Sequence, residues 1–110
     1  METVTLNHTA ALARLGHALS DETRARILLV LRDGPAYPGD MAEALGVSRQ
    51  VMSNQLACLR GCGLVQGEPD GRRTRYTLTD DHLGPALGDL LELVLRVDPA
   101  CCSDDGCTCS

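Results

Sequence analysis

Cys58 and Cys62 stand four residues apart in a stretch, Ser48 to Cys62, whose apolar residues recur at helical spacing. Residues four apart on a helix lie one above the other, so the two thiols share a face and can hold a single ion as thiolates. Soft sulfur donors select soft ions. Cys101 and Cys102 follow the last apolar run, and Cys107 and Cys109 lie near the end, giving six cysteines in 110 residues. In a secreted chain that count would indicate disulfides; in a reducing cytosol it points to metal or redox chemistry. The competing reading makes Cys58 and Cys62 small buried hydrophobes. On a wheel of about 100° per residue, Met52, Leu56 and Leu59 form the core face, and the two cysteines flank it about 80–130° away. Gly61 between them leaves room for an approaching group.

The opposite face of the same segment carries Gln50, Ser53 and Asn54, with Arg49 at its border. Gln and Asn can pair bidentately with adenine and Arg with guanine, and Ser48 and Ser53 can serve phosphate or base. The formal net charge is −5, which argues against a nucleic-acid partner. Distribution outweighs the sum. Between Arg49 and Arg75 five arginines face only Glu68 and Asp70, a local excess of three positive charges. Arg72, Arg73 and Arg75 stand where a hairpin could bring them to phosphate or an adjacent minor groove. Every cation is Arg and none is Lys, which suits bidentate phosphate and guanine contacts.

These residues need elements to hold them. A weak apolar stripe over 5–19 predicts a first helix. Ser20 as cap, with acids after it, predicts a second that Asp33-Gly34-Pro35 ends. Tyr37-Pro38-Gly39-Asp40 opens a short helix closed by Gly46, and Ser48 caps the next, which runs to about Cys62 before Gly63. Two short helices across a Gly-containing turn predict a helix-turn-helix whose second member reads DNA. Residues 64–68 predict a strand, Pro69-Asp70-Gly71 a turn, and 72–79 the return strand, together a wing. Asp80-Asp81 predicts the start of a last, very apolar helix through Leu87, Leu90, Leu91, Val94, Leu95 and Val97, stopped by Pro99. The expected fold is α+β, mainly α: a winged helix-turn-helix over 1–98 with a flexible Cys-rich tail over 99–110. With no Phe or Trp, stacking platforms for single strands are disfavoured. No Cys-His or Ser-His constellation and no phosphate loop suggests an enzyme. No export signal and no apolar run of roughly 18 residues is present, so a cytoplasmic location without membrane contact is expected.

Three segments, ALSDETRARILLVL, MAEALGVSRQVMSNQLACLRGCGLV and GRRTRYTL, resemble in that order the ArsR/SmtB metal-responsive repressors, over roughly residues 10–98. CLRGCGLV and TLTDDHLGPALGDLLELVL are most similar to its cadmium- and lead-sensing, CmtR-like branch. The resemblance implies a homodimer through the first and last helices, double-stranded operator DNA as partner, and release of that DNA on metal binding. It also implies a third thiolate from the other subunit's tail, placed at Cys102 or the adjacent Cys101. Three thiolates suit cadmium or lead, with zinc or nickel as alternatives. Metal would then tie the reading helix to the partner's tail and spoil the match to two half-sites about one DNA turn apart. Relatives usually carry His where this chain has Gln55.

Many members bind zinc, nickel or cobalt on the last helix through Asp-x-His and two later ligands. Asp80 and His82 match the first half, but Leu93 and Arg96 occupy the later positions and cannot ligate. His8 and His17 could complete a nickel site, though nothing in the spacing demands it. Left open are a nickel-linked regulator whose response involves a regulatory protein partner, a thiol redox sensor, and an acidic winged helix that binds protein.

Overall fold

The computed structural model describes residues 5–99. Its elements are α1 His8–Leu19, α2 Glu22–Arg32, α3 Pro38–Leu45, α4 Arg49–Gly61, β1 Val65–Asp70, β2 Arg73–Leu78 and α5 Leu83–Leu90. The expected helix-turn-helix is α3 and α4; the expected wing is the β1–β2 hairpin. The tail from residue 100 onward, with Cys101, Cys102, Cys107 and Cys109, lies outside the described residues.

Caps set most boundaries. The Asn7 side chain accepts the Ala10 N–H at 2.8 Å and starts α1. Asp21, not Ser20, caps α2: it is the extended residue, and its carboxylate accepts the Arg24 N–H at 3.0 Å. A carboxylate also complements the positive helix end, which a hydroxyl does not. Ser20 instead closes α1, its hydroxyl donating to the His17 carbonyl at 2.6 Å. Gly46 ends α3 at φ 71°, a left-handed conformation that favours glycine, and the Ser48 hydroxyl starts α4 by accepting the Val51 N–H at 3.0 Å.

The core joins every layer. Ile27, Leu28 and Leu31 of α2 lie under Met41 and Ala42 of α3, Met52, Leu56 and Leu59 of α4, Val65 and Tyr76 of the hairpin, and Leu83 and Leu87 of α5. The helix-turn-helix is thus joined to the wing through shared hydrocarbon.

Two further expectations change. At the tip β1 runs two residues beyond the expected 64–68 while β2 starts one residue after the expected 72, with Asp70 pairing Arg73 and Gly71-Arg72 as the turn. Pro69 is tolerated inside β1 because a two-stranded sheet leaves every strand an edge. The last helix is shorter at both ends. Asp80 folds back onto residue 82, its carboxylate accepting the His82 N–H at 2.7 Å, so the helix begins at Leu83. Beyond Leu90 the apolar residues have no surface to cover: Val94 and Leu95 are 81% and 76% exposed. A short segment without tertiary packing does not sustain a helix.

Candidate nucleic-acid interface and thiol site

The reading helix α4 separates its faces as the spacing predicted. Met52, Leu56 and Leu59 are buried, while Arg49, Gln50, Ser53 and Asn54 are exposed. The Gln50 amide donates to the Asn54 carbonyl oxygen at 2.9 Å. That bond orders both side chains and leaves the Gln50 oxygen and the Asn54 amide to offer outward. Val51, 40% exposed on the same turn, was missed in the sequence because an apolar residue on a helix is ordinarily core. Its place suits a thymine methyl.

The wing arginines differ in their contacts. Arg72 and Arg75 are exposed at and beside the hairpin turn. Arg73, expected with them on the DNA face, lies 3.7 Å over the Tyr37 ring and pairs with Asp40 at 2.5 Å. Tyr37 in turn donates its hydroxyl to Asp70, which holds its proton above the ordinary phenol range. Tyr37 and Asp40 stand at the start of α3, so these contacts pin the wing tip to the helix-turn-helix. Between them a cleft of about 530 Å³ is lined by Tyr37, Asp40, Arg49, Arg72 and Arg73, among others. Deeper in the wing, Gly67 faces Tyr76 across the strands. Tyr76 bridges Ala36 through two backbone hydrogen bonds, 2.8 and 3.1 Å, and accepts from Arg60 at 3.3 Å.

Cys58 and Cys62 are free thiols, both half-buried. They stand clear of the Met52–Leu56–Leu59 line, so neither is a core hydrophobe. Cys62 closes α4, its N–H bonded to the Cys58 carbonyl at 3.0 Å. It lines a cavity of about 350 Å³ with Leu6, Leu12 and Leu15 from the start and face of α1, and with Asp80, His82 and Leu83. Two accessible thiols on one helical face fit a thiophilic ion as a partial donor set. No third His, Cys, Asp or Glu completes a metal cluster among the described residues. Cys102 and Cys101, the residues expected to complete it, lie outside them.

Asp80 and His82 are engaged with each other. The Asp80 carboxylate accepts the His82 N–H and lies 3.0 Å from His82 Nδ1. The backbone bond, then the ring, hold its carboxyl below the usual aspartate range. Leu93 and Arg96 add no ligand.

Arg24 carried no expectation, yet it joins three elements. Its guanidinium donates to the His17 and Ala18 carbonyls of α1, each at 3.1 Å, and to Gln55 Oε1 of α4 at 3.0 Å. The Gln55 amide donates to Asp21 at 3.4 Å.

No helix among the described residues is long and apolar enough to cross a membrane. Residues 21–66 match the profile of the bacterial regulatory protein, arsR family. Over 89 residues, 81% of this chain and 75% of the relative, the sequence is 57% identical to the HTH-type transcriptional regulator CmtR of Mycobacterium bovis. The NMR structure of the cadmium metal-sensor CmtR from Mycobacterium tuberculosis superposes with a TM-score of 0.66 at 52% identity, covering 88% of this chain and 97% of that one. A homodimeric winged helix-turn-helix DNA-binding domain from Mycobacterium bovis superposes at 0.70 with 26% identity, covering 83% and 87%.

Proposed function

Because the chain belongs to the ArsR family of bacterial regulatory proteins, we propose that it is a homodimeric, metal-responsive repressor that grips operator DNA in the cytoplasm and releases it when a thiophilic ion binds Cys58 and Cys62. One observation carries the reading. Of the half-buried thiols, Cys58 sits on, and Cys62 caps, the helix that carries the exposed Arg49, Gln50, Ser53 and Asn54. An ion held by the thiols therefore bears directly on the element that reads bases.

Roles divide by position. Gln50, Asn54 and Arg49 face base edges in the major groove, with Ser48 and Ser53 beside them. Arg72 and Arg75 contact phosphate, and Arg73 holds the wing in place for them. A second copy covers Leu12 of α1 and the exposed run from Leu90 to Val97. Large contiguous apolar surface on a small domain is a pairing surface. The last segment then gains the packing it needs to lengthen α5. The partner's tail supplies Cys102, or Cys101, as third thiolate. Cadmium or lead fits that set, and its bound form must favour the state with weak DNA affinity.

Anaerobic titration of the reduced protein with cadmium tests the site. A thiolate-to-metal absorption band that saturates supports it; no band refutes it. Binding of a duplex from the chain's own upstream region should weaken steeply with salt, and a salt-insensitive or absent complex would overturn the DNA reading.

A further inference from the structure

We propose that Arg24 and Gln55 form the strut that couples the thiol face of the reading helix to the first helix, a proposal that rests on the metal-sensing reading above. Arg24 is thereby a positioning residue for α4.

Gln55, Cys58 and Cys62 share one stripe of α4. Offsets of three and seven residues bring them within about 60° of one another. This stripe faces α1 across a cavity at one end and is linked to it through α2 at the other. At one end, Cys62 shares a cavity with Leu12 and Leu15. At the other, Gln55 is held by Arg24, whose guanidinium also grips the last carbonyls of α1. Only 13% of the Arg24 side chain is exposed, and its bonds to Ala18 and Gln55 are part-buried, while that to His17 is open to water. Its N–H groups lie in a fixed plane, so His17, Ala18 and Gln55 cannot shift independently. The Gln55 amide closes the loop by donating to Asp21, the cap of α2.

Gln55 is also adjacent to Asn54 in the chain and lies between the base-reading turn and the thiols. An ion that draws Cys58 and Cys62 toward a new donor tilts the far end of α4 against α1. With the strut intact, the tilt is passed to the α1–α2 corner and so to the pairing helix. Without it, α4 can tilt with the ion while α1 and the pairing surface stay put. Allostery needs an element whose contacts differ between the two states, and in this proposal that part falls to the Arg24–Gln55 bond.

The test compares wild type, Gln55→Leu, Arg24→Gln and the double variant. For each, the Kd for the upstream duplex is measured with and without cadmium, and cadmium affinity by thiolate absorption. In wild type cadmium should weaken DNA binding within the roughly 5–150-fold range usual for allosteric coupling. Either single variant should cut that ratio to under about threefold, with cadmium affinity unchanged within about threefold. The double variant should lose no more than either single, because the two residues act as one unit. Gln55 lies on the helix surface, so its variant keeps the test open if Arg24→Gln does not fold. A wild-type ratio retained in Gln55→Leu overturns the strut alone. A wild type indifferent to cadmium overturns the metal reading and the strut with it.

Discussion

The guanidinium carbon of Arg73 lies over the ring of Tyr37, 3.7 Å from its centre, and couples the wing to the start of α3. Arg73, expected from sequence as a DNA contact, thus also holds the wing tip to the helix-turn-helix. Replacing Arg72 or Arg75 with Ala should lower the salt slope of DNA binding by about one each, since each removes a phosphate contact. Arg73→Ala should change the slope less and cost stability of about 0.5–1 kcal/mol, the usual worth of an exposed cation–π contact. Affinity across a salt series, with thermal unfolding, separates the two roles. Equal slopes for Arg72→Ala and Arg73→Ala would remove the distinction.

Gly67 admits Tyr76. A Cβ at Gly67 would stand 2.9 Å from the Thr74 methyl, closer than such atoms approach, and 3.1 Å from the Tyr76 ring, so that one of the two must give way. Tyr76 is buried and backbone-bonded to Ala36, so it cannot easily retreat. Gly67→Ala should therefore destabilise the fold by about 1–3 kcal/mol, as overpacking does. It should also weaken DNA binding by displacing the wing. Unchanged thermal unfolding would contradict the packing described here.

How much of this was legible beforehand varies with the physical cause. The helix-turn-helix, the two faces of α4 and the wing all follow from local periodicity and turn chemistry, which act within a few residues. Ser48 as a cap was legible for the same reason. The α2 cap was not settled by residue type, because Ser20 and Asp21 both qualify and only backbone conformation chooses. The length of α5 depends on what covers residues 91–97, and no local pattern encodes a partner. Arg73 and Arg24 were missed as structural residues because their partners are distant in sequence: Asp40 precedes Arg73 by 33 residues, and Gln55 follows Arg24 by 31. The thiol pair on α4 was legible from spacing, while its third donor lies outside the described residues.

Met52 is fully buried between the helix-turn-helix and the rest of the core. Met52→Ala should cost about 2–5 kcal/mol through lost burial and the cavity left behind. Chemical denaturation checks it; a loss below about 1 kcal/mol would mean that α4 is not seated as described.

Asp80 should titrate below an ordinary aspartate. Its folded pKa is depressed, so the stabilisation it gives is present above the unfolded value and disappears as pH falls through the folded one. The backbone N–H of residue 82 is the larger cause and the imidazole the smaller. His82→Ala should therefore raise the midpoint without restoring it fully. Carboxyl NMR titration of wild type and variant reads both; a midpoint unmoved by the substitution would remove the ring from the account.

The most direct measurement is release of a labelled upstream duplex from reduced protein as cadmium is added without oxygen, in wild type and in Cys58→Ser. Wild type should let go of the DNA as the ion fills the thiols. Cys58→Ser should bind the duplex as tightly as wild type before metal is added and keep it afterwards. Release from Cys58→Ser at the same cadmium concentration, or a wild type that never lets go, would contradict sensing at the reading helix.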